Sequence, residues 1–208
     1  MINEYSNIDT IVFDFGGVLI DWNPRHVYKT IFDDEEEMEW FLKNICTDEW
    51  NIEQDRGRSL KEGTEILKEK FPEHQTLIEA YYGRWEEMLG GPIHETVEIF
   101  KQLKQIQGLK IYALTNWSAE TFHIALARYD FLHWFDGRVV SGDEKTRKPF
   151  HEFYQRLLER YNVDPKKALF IDDNLRNVKA AEELGIKGIH FIDPGKLAEQ
   201  LKALNLIN

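Results

Sequence analysis

The strongest constraint on the fold is a set of short strand-type runs that do not alternate in polarity. Residues 8–15, 109–114, 138–141, 168–172 and 188–192 are rich in Ile, Val, Phe and Tyr, and several contain continuous apolar stretches, such as Ile11-Val12-Phe13 and Ala168-Leu169-Phe170-Ile171. A strand with one solvated face alternates, whereas a strand apolar at consecutive positions needs cover on both faces, as in a parallel sheet. Helical segments at 96–107, 119–129, 152–160 and 174–184 separate the later runs. Val97, Phe100, Leu103 and Ile106 keep close to a helical repeat, Ser118 stands as an N-cap, and Gly185 ends the last segment. Strands alternating with helices predict an α/β doubly wound parallel sheet.

From residue 21 to residue 92 the alternation stops. This stretch shows no strand-type run, carries acids at 33–37, and closes at Gly90-Gly91-Pro92. It predicts an all-helical domain inserted into a core made of residues 1–20 and 93–208. A chain of 208 residues is long enough for both. The formal net charge of −11 weighs against nucleic acid or an anionic membrane as partner, since both need a basic surface. Cys46 is the only cysteine, which leaves no intrachain disulfide and no CxxC metal site. No apolar stretch approaches membrane-spanning length, and the opening residues lack a basic-then-apolar leader. A cytoplasmic location is the expectation. With no GxxxxGK[ST] loop and no HxxxH pair, ATP-dependent kinase and zinc chemistry are disfavoured.

In open α/β sheets ligands bind beyond the carboxyl ends of the strands. The polar residues there are Asp14-Phe15-Gly16-Gly17, Thr115-Asn116, Lys148 and Asp172-Asp173-Asn174. Singly, each has an ordinary reading as a turn, a cap or a surface lysine. Together, in this order, they describe one site. A carboxylate such as Asp14 can attack phosphorus to give an acyl phosphate. A second carboxylate pair, Asp172 and Asp173, can hold Mg²⁺, which prefers oxygen ligands. Thr115 and Asn116 can donate to a phosphoryl oxygen, and Lys148 can offset charge on the transferring group.

The segments Ile11-Val12-Phe13-Asp14-Phe15-Gly16-Gly17-Val18, Ala113-Leu114-Thr115-Asn116, Arg147-Lys148-Pro149 and Leu169-Phe170-Ile171-Asp172-Asp173-Asn174 resemble the motifs of the haloacid dehalogenase superfamily. The insertion resembles the helical cap of one subgroup, and the whole is similar to a branch of sugar phosphatases and the phosphatase domain of soluble epoxide hydrolase. The resemblance implies Asp14 as nucleophile and metal ligand, the Gly16 carbonyl and Asp173 as Mg²⁺ ligands with Asp172 beside them, and Thr115 and Lys148 as phosphoryl-binding catalytic groups. Phe15, Gly16 and Asn116 are expected around a small phosphorylated metabolite, as are Trp22, at the hinge just after the first strand, and Trp117, directly after Thr115-Asn116; no obligate protein partner is expected. Trp50 and Trp85 are expected in packing between insertion and core.

One departure matters. Phosphatases of this family often carry an aspartate two residues after the nucleophile, to protonate the leaving group and activate water. Here that residue is Gly16. Either a group from the insertion supplies the proton, with Asp21 and His26 as candidates, or the substrate does, or turnover is slow. Two alternatives stay open at this point: a metal-free 2-haloacid dehalogenase, disfavoured by the Asp172-Asp173 pair, and a catalytically weak binding module on the same fold.

Overall fold

The computed structural model describes residues 7–207; residues 1–6, on which the leader reading rests, and residue 208 lie outside the described residues. Among the described residues seven strands form: β1 Thr10–Phe13, β2 Ile20–Trp22, β3 Leu89–Pro92, β4 Lys110–Thr115, β5 Gly137–Val140, β6 Ala168–Asp172 and β7 Lys187–His190. Five of them make a parallel sheet of order β5-β4-β1-β6-β7. The helices are α1 Arg25–Tyr28, α2 Glu35–Asn44, α3 Asp48–Asp55, α4 Leu60–Lys70, α5 Gln75–Gly83, α6 His94–Leu103, α7 Ala119–Arg128, α8 Ser141–Glu144, α9 His151–Tyr161, α10 Leu175–Glu183 and α11 Pro194–Ala203.

The apolar runs are continuous because each sheet face has its own core. Ile11, Phe13, Ile111, Ala113, Leu169 and Ile171 join one apolar cluster, with Phe100 of α6, Phe122 of α7 and Leu197 of α11. The intervening Val12, Tyr112, Leu114 and Phe170 join a second, with Phe153 and Leu157 of α9 and Ala181 of α10. Successive strand side chains point to opposite faces, so two covered faces demand apolar residues at every position. The doubly wound fold predicted from this pattern is the one observed.

The chain winds from β1 outward through β4 to β5, crosses back to set β6 on the other side of β1, and continues to β7. Such a reversal opens a crevice at the carboxyl ends of the central strands. The register fixes what stands there. Phe13 pairs with Ala113 on one side and Ile171 on the other, so Asp14 lies level with Asp172, and Thr115 lies one residue beyond.

The expectation of an all-helical insertion needs correction. Residues 25–88 are helical, but Ile20–Trp22 and Leu89–Pro92 pair as antiparallel strands where the segment leaves and rejoins the core. Leu89-Gly90-Gly91-Pro92 has the composition of a turn, and Gly91 has φ +129°, a backbone conformation that side-chain-bearing residues rarely adopt. Its strand character comes from pairing with Asp21, not from local propensity. Among the described residues no helix is long and apolar enough to cross a membrane.

Candidate active site

Asp14 follows β1, and its backbone N–H donates to the Ile171 carbonyl at 2.9 Å, which locks the loop to β6. Its carboxylate accepts from the Phe15 N–H at 2.7 Å and from Lys148 Nζ at 2.8 Å. The same ammonium donates to Asp172 Oδ2 at 2.7 Å. Lys148 is fully buried. Burial pulls its pKa down, but the two carboxylates outweigh that and hold it above the ordinary value. Asp14 shows the opposite balance: burial, reinforced by the charges of Asp172 and Asp173, pushes its carboxyl up to about 7 against the pull of Lys148.

Asp172 is enclosed as well. It accepts from the Asn174 N–H at 2.8 Å and from Asn177 Nδ2 at 3.0 Å, in addition to Lys148. Its oxygens are taken by protein donors, so it orients the lysine and the turn into α10. Asp173 differs in being exposed. Its carboxylate lies against the backbone of the Gly16-Gly17 turn: a Cβ on Gly17 would stand 2.2 Å from Asp173 Oδ2, and Gly17 has φ +71°. Only glycine satisfies both conditions. Carboxylate oxygens of Asp14, Asp172 and Asp173 can all lie within 4.8 Å of one another. When all three are ionised, these carboxylates exceed the one ammonium by two negative charges in a confined space. An all-oxygen, electron-rich donor set of this kind suits a hard divalent cation.

Thr115 ends β4, fully buried, and its Oγ1 has no hydrogen-bond partner. A buried hydroxyl left unpaired is costly unless a ligand completes it. Asn116 is committed differently: its Oδ1 accepts from the Lys148 N–H at 2.9 Å and its Nδ2 donates to the Lys148 carbonyl at 3.1 Å. Its side chain therefore clamps the lysine to the end of β4, while the residue still borders the crevice.

The crevice contains a cavity of about 80 Å³ lined by Gly16, Trp22, Asp55, Trp85, Asn116 and Trp117, among others. Trp22 and Trp117 are thus two of its walls. Trp50 is in packing, its indole N–H donating to the Gly63 carbonyl at 2.9 Å. Trp85 both packs on Trp117, with ring centroids 5.7 Å apart, and lines the cavity. Phe15 must be corrected: its side chain is fully buried, stacked on Phe122 at 6.0 Å and edge-on to Phe135 at 5.2 Å, so it belongs to the core and only its N–H serves the site. Asp21 and His26 pair with each other at 2.9 Å on the exposed surface and do not line the cavity.

Sequence reasoning missed Asn51, Asp55 and Tyr82, which reach the cavity from the inserted segment. No local pattern marks them, because the docking of the insertion decides which of its faces looks inward.

A family model for haloacid dehalogenase-like hydrolases matches residues 8–185. The chain belongs to that family. It is therefore a hydrolase by family, on the fold its motifs imply. Among relatives, a sesquiterpene phosphatase of Aspergillus oryzae is 27% identical, covering 93% of this chain and 94% of its own. A phosphorylated carbohydrates phosphatase of Thermotoga maritima is 24% identical, covering 96% and 94%. Among solved structures, a haloacid dehalogenase family enzyme of Bacteroides thetaiotaomicron, in complex with magnesium and inorganic phosphate, superposes with TM-score 0.65 at 24% identity over 89% of this chain and 95% of that one.

Proposed function

We propose that this hydrolase is a Mg²⁺-dependent phosphatase that cleaves a small phosphorylated metabolite through an aspartyl phosphate on Asp14. The observation that carries the reading is the buried Asp14–Lys148–Asp172 chain of contacts, 2.8 and 2.7 Å long, with the exposed Asp173 beside it. Asp14 attacks phosphorus and the ester oxygen leaves; water then opens the acyl phosphate and restores the carboxylate. Thr115 Oγ1, buried and unpaired, donates to a phosphoryl oxygen. Lys148 places positive charge beside the group in flight, and Asn116 keeps it there. Asp14, Asp173 and the Gly16 carbonyl would hold Mg²⁺. Bound there, the cation would offset the repulsion between carboxylates and phosphate and polarise the phosphoryl group.

The carboxylate pair also favours this reading over metal-free dehalogenation, which has no use for a cation site. Residues 21–92 act as a cap whose Trp22 and Trp85, with Trp117 of the core, face the leaving group. Aromatic walls accept a sugar face or an unsaturated hydrocarbon, and relatives named for phosphorylated carbohydrates and for a sesquiterpene span both.

Hydrolysis of p-nitrophenyl phosphate tests the proposal. Asp14→Asn is expected to abolish it, and EDTA to do the same with recovery on added Mg²⁺. Turnover surviving Asp14→Asn would overturn the assignment.

A further inference from the structure

If the reaction is the phosphate-ester hydrolysis proposed above, a proton must reach the departing oxygen and another must leave the attacking water. Gly16 cannot supply either. Asp55 faces the same cavity as Gly16 from the opposite, inserted segment. It is the last residue of α3, and its placement is over-determined. Its carboxylate accepts from Asn51 Nδ2, one turn back on the same helix, at 3.3 Å. Asn51 Oδ1 in turn accepts from Tyr82 Oη at 2.8 Å, and Tyr82 Oη accepts from Gln54 Nε2 at 2.9 Å. A further bond comes from the backbone of Ser118, the residue that follows Trp117. The Asp55 carbonyl is fixed separately, accepting from Ser141 Oγ at 2.5 Å.

The surroundings suit a group that must hold a proton and release it. Asp55 closes the carboxyl end of α3, where the helix dipole disfavours added negative charge. Burial pushes its pKa up to about 7, against the Ser118 backbone bond and the positive charges of Arg147 and Lys148. The influence of Lys148 also ties it electrically to the nucleophile, since that ammonium touches Asp14.

We propose that Asp55 is the proton-transfer residue of this enzyme, acting in place of the side chain that position 16 lacks. As Asp14 attacks and the P–O bond to the leaving group breaks, the Asp55 carboxyl gives its proton to that oxygen, and the alcohol departs. The Asp55 carboxylate then takes a proton from water while the hydroxyl oxygen attacks phosphorus, breaking the bond to Asp14. The products are alcohol and inorganic phosphate, and both aspartates return to their starting states.

The test compares Asp55→Asn and Asp55→Ser with the parent on alkyl phosphates and on p-nitrophenyl phosphate, whose leaving group needs no proton. For alkyl phosphates kcat is expected to fall by about a hundredfold or more. For p-nitrophenyl phosphate a rapid burst of nitrophenolate, one per enzyme, is expected to survive, followed by slow turnover, because only hydrolysis of the acyl phosphate is impaired. Outside Gly16 and its two chain neighbours, no atom lies within 4 Å of where a Cβ on Gly16 would stand. Adding Gly16→Asp to Asp55→Asn is therefore expected to restore part of the alkyl phosphatase rate. Unchanged alkyl phosphate kcat in both variants would overturn the proposal. So would an equal loss on every ester without a burst, which is the behaviour of a group that merely binds substrate. Asp14→Asn separates the two readings: activity that needs Asp14 but ignores Asp55 sinks this inference alone, and activity that ignores Asp14 sinks the phosphatase reading itself.

Discussion

At the scale of single residues the site is organised by Lys148, whose ammonium is shared between two carboxylates with no access to water. Removing one partner of a buried ion pair strands the other. Lys148→Met is therefore expected to destabilise the fold by about 3 kcal/mol or more as well as to end turnover, measured by urea denaturation. A loss below about 1 kcal/mol would mean that Asp14 and Asp172 simply take up protons. Asp14, Thr115 and Asp173 were legible in the sequence because a parallel sheet gathers its strand ends, and short polar segments after apolar runs mark those ends; Lys148, in the loop after α8 and well past the end of β5, was legible through its Arg147-Lys148-Pro149 motif. Asn116 and Phe15 were legible only as positions. That the amide grips the Lys148 backbone, and that the ring turns into the core, depends on packing that no motif encodes. Asp55 was not legible: nothing in Asn51-Ile52-Glu53-Gln54-Asp55 distinguishes its carboxyl from the many acids around it.

At the scale of elements, the junction between α7 and α8 shows how tightly the crevice floor is built. Gly142 of α8 donates to the Trp117 carbonyl at 3.1 Å. A Cβ at this glycine would stand 2.2 Å from the Ala119 nitrogen and 2.9 Å from the Trp117 carbonyl oxygen. Those are backbone atoms and cannot swing aside. Gly142→Ala is expected to cost about 2 kcal/mol by overpacking, with a matching drop in melting temperature. Because the displaced segment carries Trp117 and Ser118, KM should rise with it. An unchanged Tm would show that α8 shifts freely. The β2–β3 pair escaped the sequence for a related reason. Its second strand is Leu89-Gly90-Gly91-Pro92, and tertiary pairing there overrides a local preference for a turn.

For the whole molecule the governing quantity is charge. The chain carries 37 acidic against 26 basic side chains, and the candidate site holds a cluster of three carboxylates. A dianionic phosphate ester approaches against this field, and salt screens repulsion as well as attraction. At fixed Mg²⁺, kcat/KM for p-nitrophenyl phosphate is expected to rise as ionic strength increases from low to physiological values. A steep fall would instead reveal a locally basic funnel at the crevice mouth. The inserted segment and the core meet through dispersed polar contacts: Leu60 N–H to Glu120 at 2.9 Å, Arg128 to the Glu86 carbonyl at 3.0 Å, Lys145 to the Gly57 carbonyl at 3.4 Å. Ser141 stands apart from these. Its one oxygen accepts from the Trp117 N–H at 2.9 Å and donates to the Asp55 carbonyl. Beside the Ser118 backbone bond to the Asp55 carboxylate and the packing of Trp85 on Trp117, one atom, on a side chain too short to stretch, thus joins two opposing walls of the cavity. The gap between them works as a caliper with a fixed jaw setting, and widening it there means surrendering a buried hydrogen bond, at about 1–3 kcal/mol.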